Sequence, residues 1–171
     1  WTDMRLNYKN IYQLTRENLK LTRETASELL ESIPPERIEK IENERSFPHP
    51  DEVLTMAEKY KKPDLCNYYC ANQCPIGQEY VPEVKIKDLS QIVLKMLASL
   101  NAMNKRKDRL IEITADGKIS DDELEDFLYI QEELERISIT VETLQLWAEK
   151  MLAAGVIDEA RYEAYRSRKK T

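Results

Sequence analysis

Glycine and histidine are both scarce in this sequence. The 171 residues include 3 glycines and 1 histidine. So few glycines argue against a turn-rich β-sandwich or barrel and against a glycine-rich phosphate loop, because those structures need unusual backbone angles. A nucleophilic arrangement of the Ser-His-Asp or Cys-His type would have to use His49, and nothing in the sequence places His49 beside a nucleophile. We therefore expect no enzymatic activity.

Long apolar runs are also missing. No stretch reaches the roughly 18 uninterrupted apolar residues that a membrane-spanning helix needs. Residues 1–20 carry charges throughout and lack the apolar segment of a secretory signal peptide. We therefore expect a cytoplasmic protein that makes no use of a membrane.

The sequence has no excess of positive charge. Lysine and arginine total 26 and aspartate and glutamate total 32, which gives a net charge of −6. This balance excludes a protein that coats nucleic acid without specificity. Any contact with nucleic acid has to come from a local patch of basic residues.

What the sequence does have is helical spacing of apolar residues and prolines that mark helix starts. Thr22 is a suitable N-cap for a helix that ends near Glu31. Pro35 suits the first turn of the next helix, whose buried side is marked by Ile38 and Ile41. With further helices before Thr22, after Pro50 and after Pro63, the pattern predicts five short helices within residues 1–74.

The second half of the chain has longer helical patterns. Residues 75–87 contain two further prolines and a glycine and are predicted to be a linker loop. Apolar stripes then predict a long helical hairpin, residues 88–114 and 120–154, and a short terminal helix capped by Asp158. The hairpin has more apolar positions than one partner helix covers; the surplus positions are Leu128, Ile130, Ile139, Leu146 and Trp147. We predict an all-α fold with divisions at 1–74, 75–87 and 88–171.

The N-terminal part of the sequence resembles a known DNA-binding family. The segments that carry the resemblance are Leu21–Glu24, Ala26–Leu30, Ile38–Asn43 and Asp51–Tyr60. In their order and apolar spacing they are similar to the Cro-like (XRE) helix-turn-helix family of phage and bacterial repressors. The resemblance covers about a third of the chain and implies a five-helix, lambda-repressor-like N-terminal domain.

The resemblance also implies a function and a set of contact residues. In the family, the helix after Thr22 braces the DNA backbone and the following helix lies in the major groove. This implies a sequence-specific transcriptional regulator of double-stranded DNA. The implied DNA-binding residues are Thr22, Arg23, Glu36, Arg37 and Lys40. Together with Arg23, the basic residues Lys9, Arg16 and Lys20 are expected to form a phosphate-contacting edge.

The sequence departs from the family pattern on this helix. Pro34 and Pro35 replace the small polar residues with which the helix normally begins. Glu36, Glu39 and Glu42 add negative charge, which repels phosphates unless a neighbouring cation neutralises it. A second interpretation is therefore an adaptor that keeps the fold, has lost DNA binding and holds a protein partner.

Three cysteines form the other notable pattern. Cys66, Cys70 and Cys74 are spaced by four residues, so two of them can share a helix face and the third can turn back. With His49 they would make a Cys₃His set of the kind that holds structural zinc. The alternatives are buried free thiols that pack under Tyr68 and Tyr69, and a redox role.

We predict a homodimer in solution. Regulators of this type read two half-sites about one turn of DNA apart, and the surplus apolar positions of the hairpin need cover. Light scattering at tens of micromolar should give about twice the mass of one chain. A strict monomer under those conditions would contradict the prediction.

Overall fold

The protein is built from helices. The structure, a computed structural model, describes residues 9–85, 88–115 and 117–168, and within these ranges it has ten helices and no strand. The helices are α1 Ile11–Asn18, α2 Arg23–Leu30, α3 Pro35–Glu42, α4 Pro50–Lys59, α5 Asp64–Asn72, α6 Pro75–Tyr80, α7 Leu89–Lys105, α8 Lys107–Thr114, α9 Leu124–Ala153 and α10 Glu159–Arg168. The all-α prediction is confirmed. None of the described helices is both long enough and apolar enough to cross a membrane.

The chain divides into two compact units. One contains residues 1–83 together with 149–171, and the other contains residues 84–148. The division differs from the predicted one, because the C-terminal end of α9 and all of α10 group with the N-terminal helices. Glu149, near the end of α9, is close enough to Cys66 on α5 to raise the pKa of its thiol. This proximity is consistent with the end of α9 belonging to the first unit.

The first unit has one apolar core. Thr22 caps α2 as predicted, with its hydroxyl accepting a 3.2 Å hydrogen bond from the Thr25 N–H. Pro35 occupies the first turn of α3, where a missing N–H costs little. Ile38 and Ile41 are then buried as predicted, each about 2% exposed or less. The other members of the core are Tyr12, Ala26, Leu30, Ile33, Val53, Met56, Ala57, Tyr60 and Leu65. Burial of each large side chain stabilises the unit by roughly 1.5–3 kcal/mol.

The predicted linker loop at 75–87 is wrong for its first part. Residues Pro75–Tyr80 form α6, which packs against α5. Proline at the first helical position starts this helix rather than breaking it. Gly77 is buried where α6 meets α5, so close that a Cβ there would lie 2.1 Å from the carbonyl oxygen of Cys70. The glycine serves close packing, not flexibility.

The first long helix of the predicted hairpin is interrupted. It divides at Arg106 into α7 and α8, whereas α9 runs unbroken over 30 residues. At the break the Arg106 guanidinium lies 4.0 Å from the centre of the Tyr129 ring and donates to Asp126 at 2.7 Å. Arg109 donates to the other oxygen of Asp126 at 2.8 Å. These contacts hold the break against α9 within residues 84–148.

The apolar positions that need cover differ from those predicted. Ile130 and Leu146 are 2% and 7% exposed, so the chain itself covers them, while Leu128 is 49% exposed. Larger exposed fractions lie on α7, where Leu94 is 67% and Leu97 is 51% exposed. If a second copy covers an apolar face of this unit, α7 contributes more to that face than the predicted positions do.

The close approach at Gly77 predicts a steep cost for a single methyl group. We expect Gly77→Ala to lower the free energy of unfolding by about 3 kcal/mol or more, because the carbonyl of Cys70 belongs to a helix and cannot move aside. Gly155→Ala is the matched control: Gly155 has φ +70 and no neighbour within 4 Å of the added carbon. It should cost only about 1 kcal/mol of backbone strain. Urea unfolding measures both, and equal costs would contradict the packing role of Gly77.

Candidate nucleic-acid interface and cysteine cluster

A buried carboxylate joins the first three helices. Glu42, the last residue of α3, has a side chain that is 1% exposed. It accepts hydrogen bonds from Arg16 Nε at 2.5 Å and Arg16 Nη2 at 3.0 Å, and from Arg23 Nε at 2.8 Å. Arg16 donates its remaining nitrogen to the Leu21 carbonyl at 2.6 Å. The hydrogen bonds that Arg16 donates to Glu42 raise the pKa of Arg16 above its ordinary value.

Arg37 is the most completely bonded of the predicted DNA-contacting residues. Its Nε and Nη2 donate to the two carboxylate oxygens of Glu52, each at 2.7 Å. Its Nη1 donates to the Ser46 hydroxyl, and Nη2 also donates to the Phe47 carbonyl at 2.9 Å. The bonds to Glu52 raise the pKa of Arg37. The guanidinium therefore faces the start of α4 and not the surrounding solvent.

Glu52 is held in its charged form at this contact. Burial raises the pKa of Glu52, but two hydrogen bonds lower it by more, so the pKa lies below its ordinary value. The donors of these bonds are Arg37 and the His49 N–H, the latter at 2.6 Å. A bidentate pair between charged groups is among the strongest hydrogen-bonded contacts in proteins. Arg37 and Glu52 therefore form a stable clamp between α3 and α4.

The remaining predicted contact residues lie at the surface. Thr22 and Glu36 are exposed. Lys40 is exposed and forms no ion pair with any residue that the structure describes. Arg23 keeps 32% of its side chain exposed. The structure thus places all five residues in the first unit, but directs both guanidinium groups to carboxylates of the same unit.

Arg16 is the one buried member of the predicted phosphate-contacting edge, which also includes Lys9, Lys20 and Arg23. Arg16 is 7% exposed and is bonded to Glu42. Lys9 donates to Glu17 at 2.6 Å. Of the four predicted edge residues, Lys20 alone has no ion pair within residues 9–85, 88–115 and 117–168. The buried Glu42 holds Arg16 and Arg23. The pair of Lys9 and Glu17 lies at the surface, with 39% and 33% of the two side chains exposed, so the edge stays a prediction.

The cysteines and the histidine are not grouped as the zinc interpretation required. Cys66 and Cys70 lie on α5, Cys74 precedes α6 and His49 precedes α4. Among the residues that the structure describes, no three histidine, cysteine, aspartate or glutamate side chains are placed to hold a metal ion. The set Cys66, Cys70, Cys74 and His49 is therefore not assembled.

The environment of the thiols fits packing. All three cysteines are partly buried and free. Burial raises the pKa of Cys66 and, with its neighbour Cys74, that of Cys70. A raised pKa favours the protonated thiol, which is a weaker metal ligand and nucleophile than the thiolate. Cys66 also packs against the apolar core, as the free-thiol interpretation expected.

The sequence interpretation missed the residues that hold the arginines. From sequence alone, Glu42 is expected to add negative charge near DNA, and nothing in the sequence distinguishes Glu52. A signal for Glu42 existed, because it follows Ile38 by four residues and so shares the buried face of α3. No comparable signal pairs Arg37 with Glu52, which are 15 residues apart.

Comparison with models of protein families, with curated proteins and with solved structures found no match to this chain. The functional argument therefore depends on the geometry described above.

Because Glu42 is buried, the change of glutamate to glutamine should destabilise the protein more at position 42 than at an exposed position of α3. We expect Glu42→Gln to lower the free energy of unfolding by about 3 kcal/mol or more, because a neutral amide leaves two guanidinium groups near one oxygen. Glu39→Gln is the matched control: Glu39 is 41% exposed and lies 3.7 Å from Arg45. That change should cost less than about 1 kcal/mol. Urea unfolding at neutral pH tests this, and similar costs for the two variants would contradict the role of Glu42.

Proposed function

We propose that the first unit is a protein-interaction adaptor that uses the helix-turn-helix layout, and that the exposed face of α3 binds a protein partner. The bonding of Arg37 carries the proposal. Four hydrogen bonds to Glu52, Ser46 and Phe47 satisfy the guanidinium inside the unit. A guanidinium that reads a guanine has to present two free donors to the base edge. Arg37 would have to break its pairing with Glu52 to do so.

Arg23 supports the same conclusion. Its Nε is bonded to Glu42, a carboxylate buried beside Arg16. Moving Arg23 to a base or phosphate would remove one partner from that buried charge, which is costly. The guanidinium groups of the two arginines expected to contact DNA are therefore bonded within the fold.

The surface that remains is mixed in charge and partly apolar. Glu36 and Lys40 are exposed on α3, one helical turn apart. Phe47, whose carbonyl is bonded to Arg37, is 64% exposed. Exposed aromatic side chains are enriched at surfaces that bind proteins. Phosphates favour surfaces on which positive charge dominates.

The second candidate is the DNA-binding transcriptional regulator that the resemblance implies, and Lys40 favours it. This lysine is exposed, has no ion pair within the described part of the chain and lies on the helix that the family places in the major groove. The exposed cap residue Thr22 would bring the N-terminus of α2 towards a phosphate.

Selection of bound fragments from the native genome separates the two candidates. If the protein is an adaptor, no DNA sequence is enriched among the bound fragments. Its weak binding to a duplex of mixed sequence then changes equally in Lys40→Ala and Lys61→Ala. Lys61 is the matched control, because within the described ranges it also lacks an ion pair. A regulator instead predicts an enriched operator, a loss of about tenfold for Lys40→Ala alone and a salt slope smaller by about 1. That result would overturn the adaptor proposal.

A positive test uses short peptides. Peptides selected from a random library against the wild-type chain should lose affinity by about tenfold or more in Phe47→Ala, because a central aromatic residue carries much of an interface's binding energy. Leu54→Ala is the matched control, since Leu54 is 63% exposed on α4. Equal binding to both variants would show that the α3 face is not the docking surface.

A further inference from the structure

A groove between α7 and α9 has the size of a small-molecule site. It lies within residues 84–148 and has a volume of about 570 Å³. Small-molecule sites in proteins fall in the range of roughly 300–1,000 Å³. The residues that matter for its chemistry are Lys95, Ser99, Ala102, Glu133, Arg136 and Ile139.

The hydroxyl of Ser99 is open to the groove. The residue is 8% exposed, lines the groove and makes no side-chain hydrogen bond with any described residue. Other buried hydroxyls of this unit behave differently: Thr140 donates to the Arg136 carbonyl at 2.8 Å and Thr143 to the Ile139 carbonyl at 2.6 Å. The Ser99 hydroxyl is therefore available to bond with a ligand that enters the groove in place of solvent.

The charged groups of the groove are unevenly paired. Glu133 is 3% exposed, and its Oε1 accepts from Arg136 Nη1. Its Oε2 has no hydrogen-bond partner in the part of the chain that the structure describes. Lys95 forms no ion pair there either. Because Arg136 neutralises Glu133, Lys95 is the cation of the groove that lacks a counter-charge.

We propose that this groove binds a small hydroxy acid with an apolar chain. The ligand carboxylate pairs with the Lys95 ammonium and accepts from the Ser99 hydroxyl. The ligand hydroxyl donates to Glu133 Oε2, and the apolar chain lies on Ala102 and Ile139. The site is on a different unit from the α3 face and does not depend on the function proposed for it.

Titration of the full chain with three six-carbon probes tests the proposal. The probes are 2-hydroxyhexanoate, hexanoate, which lacks the hydroxyl, and 1,2-hexanediol, which lacks the charge. Backbone amide shifts followed by NMR should saturate at 95–102 and 133–139, with a dissociation constant on the order of 1 mM for the hydroxy acid. Hexanoate and the diol should each bind at least about fivefold more weakly.

Variants assign the contacts. Lys95→Gln should weaken 2-hydroxyhexanoate about tenfold and leave the diol unchanged. Lys105→Gln, which removes an exposed lysine of α7 outside the groove, should change neither. Ala102→Leu should fill the groove and abolish saturable binding of all three probes while circular dichroism shows the helices intact.

Three results would overturn the proposal. One is equal affinity for the diol and the hydroxy acid, which would show that Lys95 does not recognise charge. Another is an equal effect of Lys95→Gln and Lys105→Gln. The third is shifts that do not saturate and that spread over the exposed Leu94 and Leu97, which would show adsorption to the apolar face of α7.

Discussion

The N-terminal helices depend on one buried negative charge. Glu42 stands at the end of α3 and receives Arg16 from α1 and Arg23 from α2, so three helices share a single carboxylate. A buried carboxylate needs its partners, since removal of one leaves a charge that water cannot reach. The positions of both arginines are therefore set by the interior. Because both guanidinium groups are bonded to Glu42, a ligand at the surface would have to compete with this carboxylate for them.

Much of the helical architecture is readable from local signals. Thr22 caps α2, Pro35 opens α3, and Ile38 and Ile41 mark its buried face, all through interactions within a few residues. The errors arise where local signals conflict. Proline and glycine in α6 look like helix breakers, yet the proline is at the first position and the glycine is needed where α6 touches Cys70. That contact exists only in three dimensions.

The interruption at Arg106 is a second such case. The apolar stripe continues across it, so the periodicity predicts one helix where the structure has α7 and α8. The partners of Arg106 are Asp126 and Tyr129, about twenty residues further along the chain. Helical spacing describes which face of a segment is apolar, and it contains no information on a side chain that a distant helix holds.

The candidate site shows the same limit more sharply. The sequence names residues of the right type for contact with DNA, but it does not show whether their charges are free. Arg23 and Glu42 are 19 residues apart, and Arg37 and Glu52 are 15 apart. The spacing of the cysteines likewise allows a metal site that is not assembled among the residues the structure describes. For both arginines the deciding partner comes from another helix.

Glu52 lies on α4, yet it neutralises the one guanidinium of α3. The electrostatic potential of this face thus depends on a carboxylate from a neighbouring helix. Two chains with identical α3 sequences would differ in electrostatic potential if only one of them carried the carboxylate at this position. An assignment of DNA binding from the sequence of α3 alone would be the same for both chains and would ignore this difference.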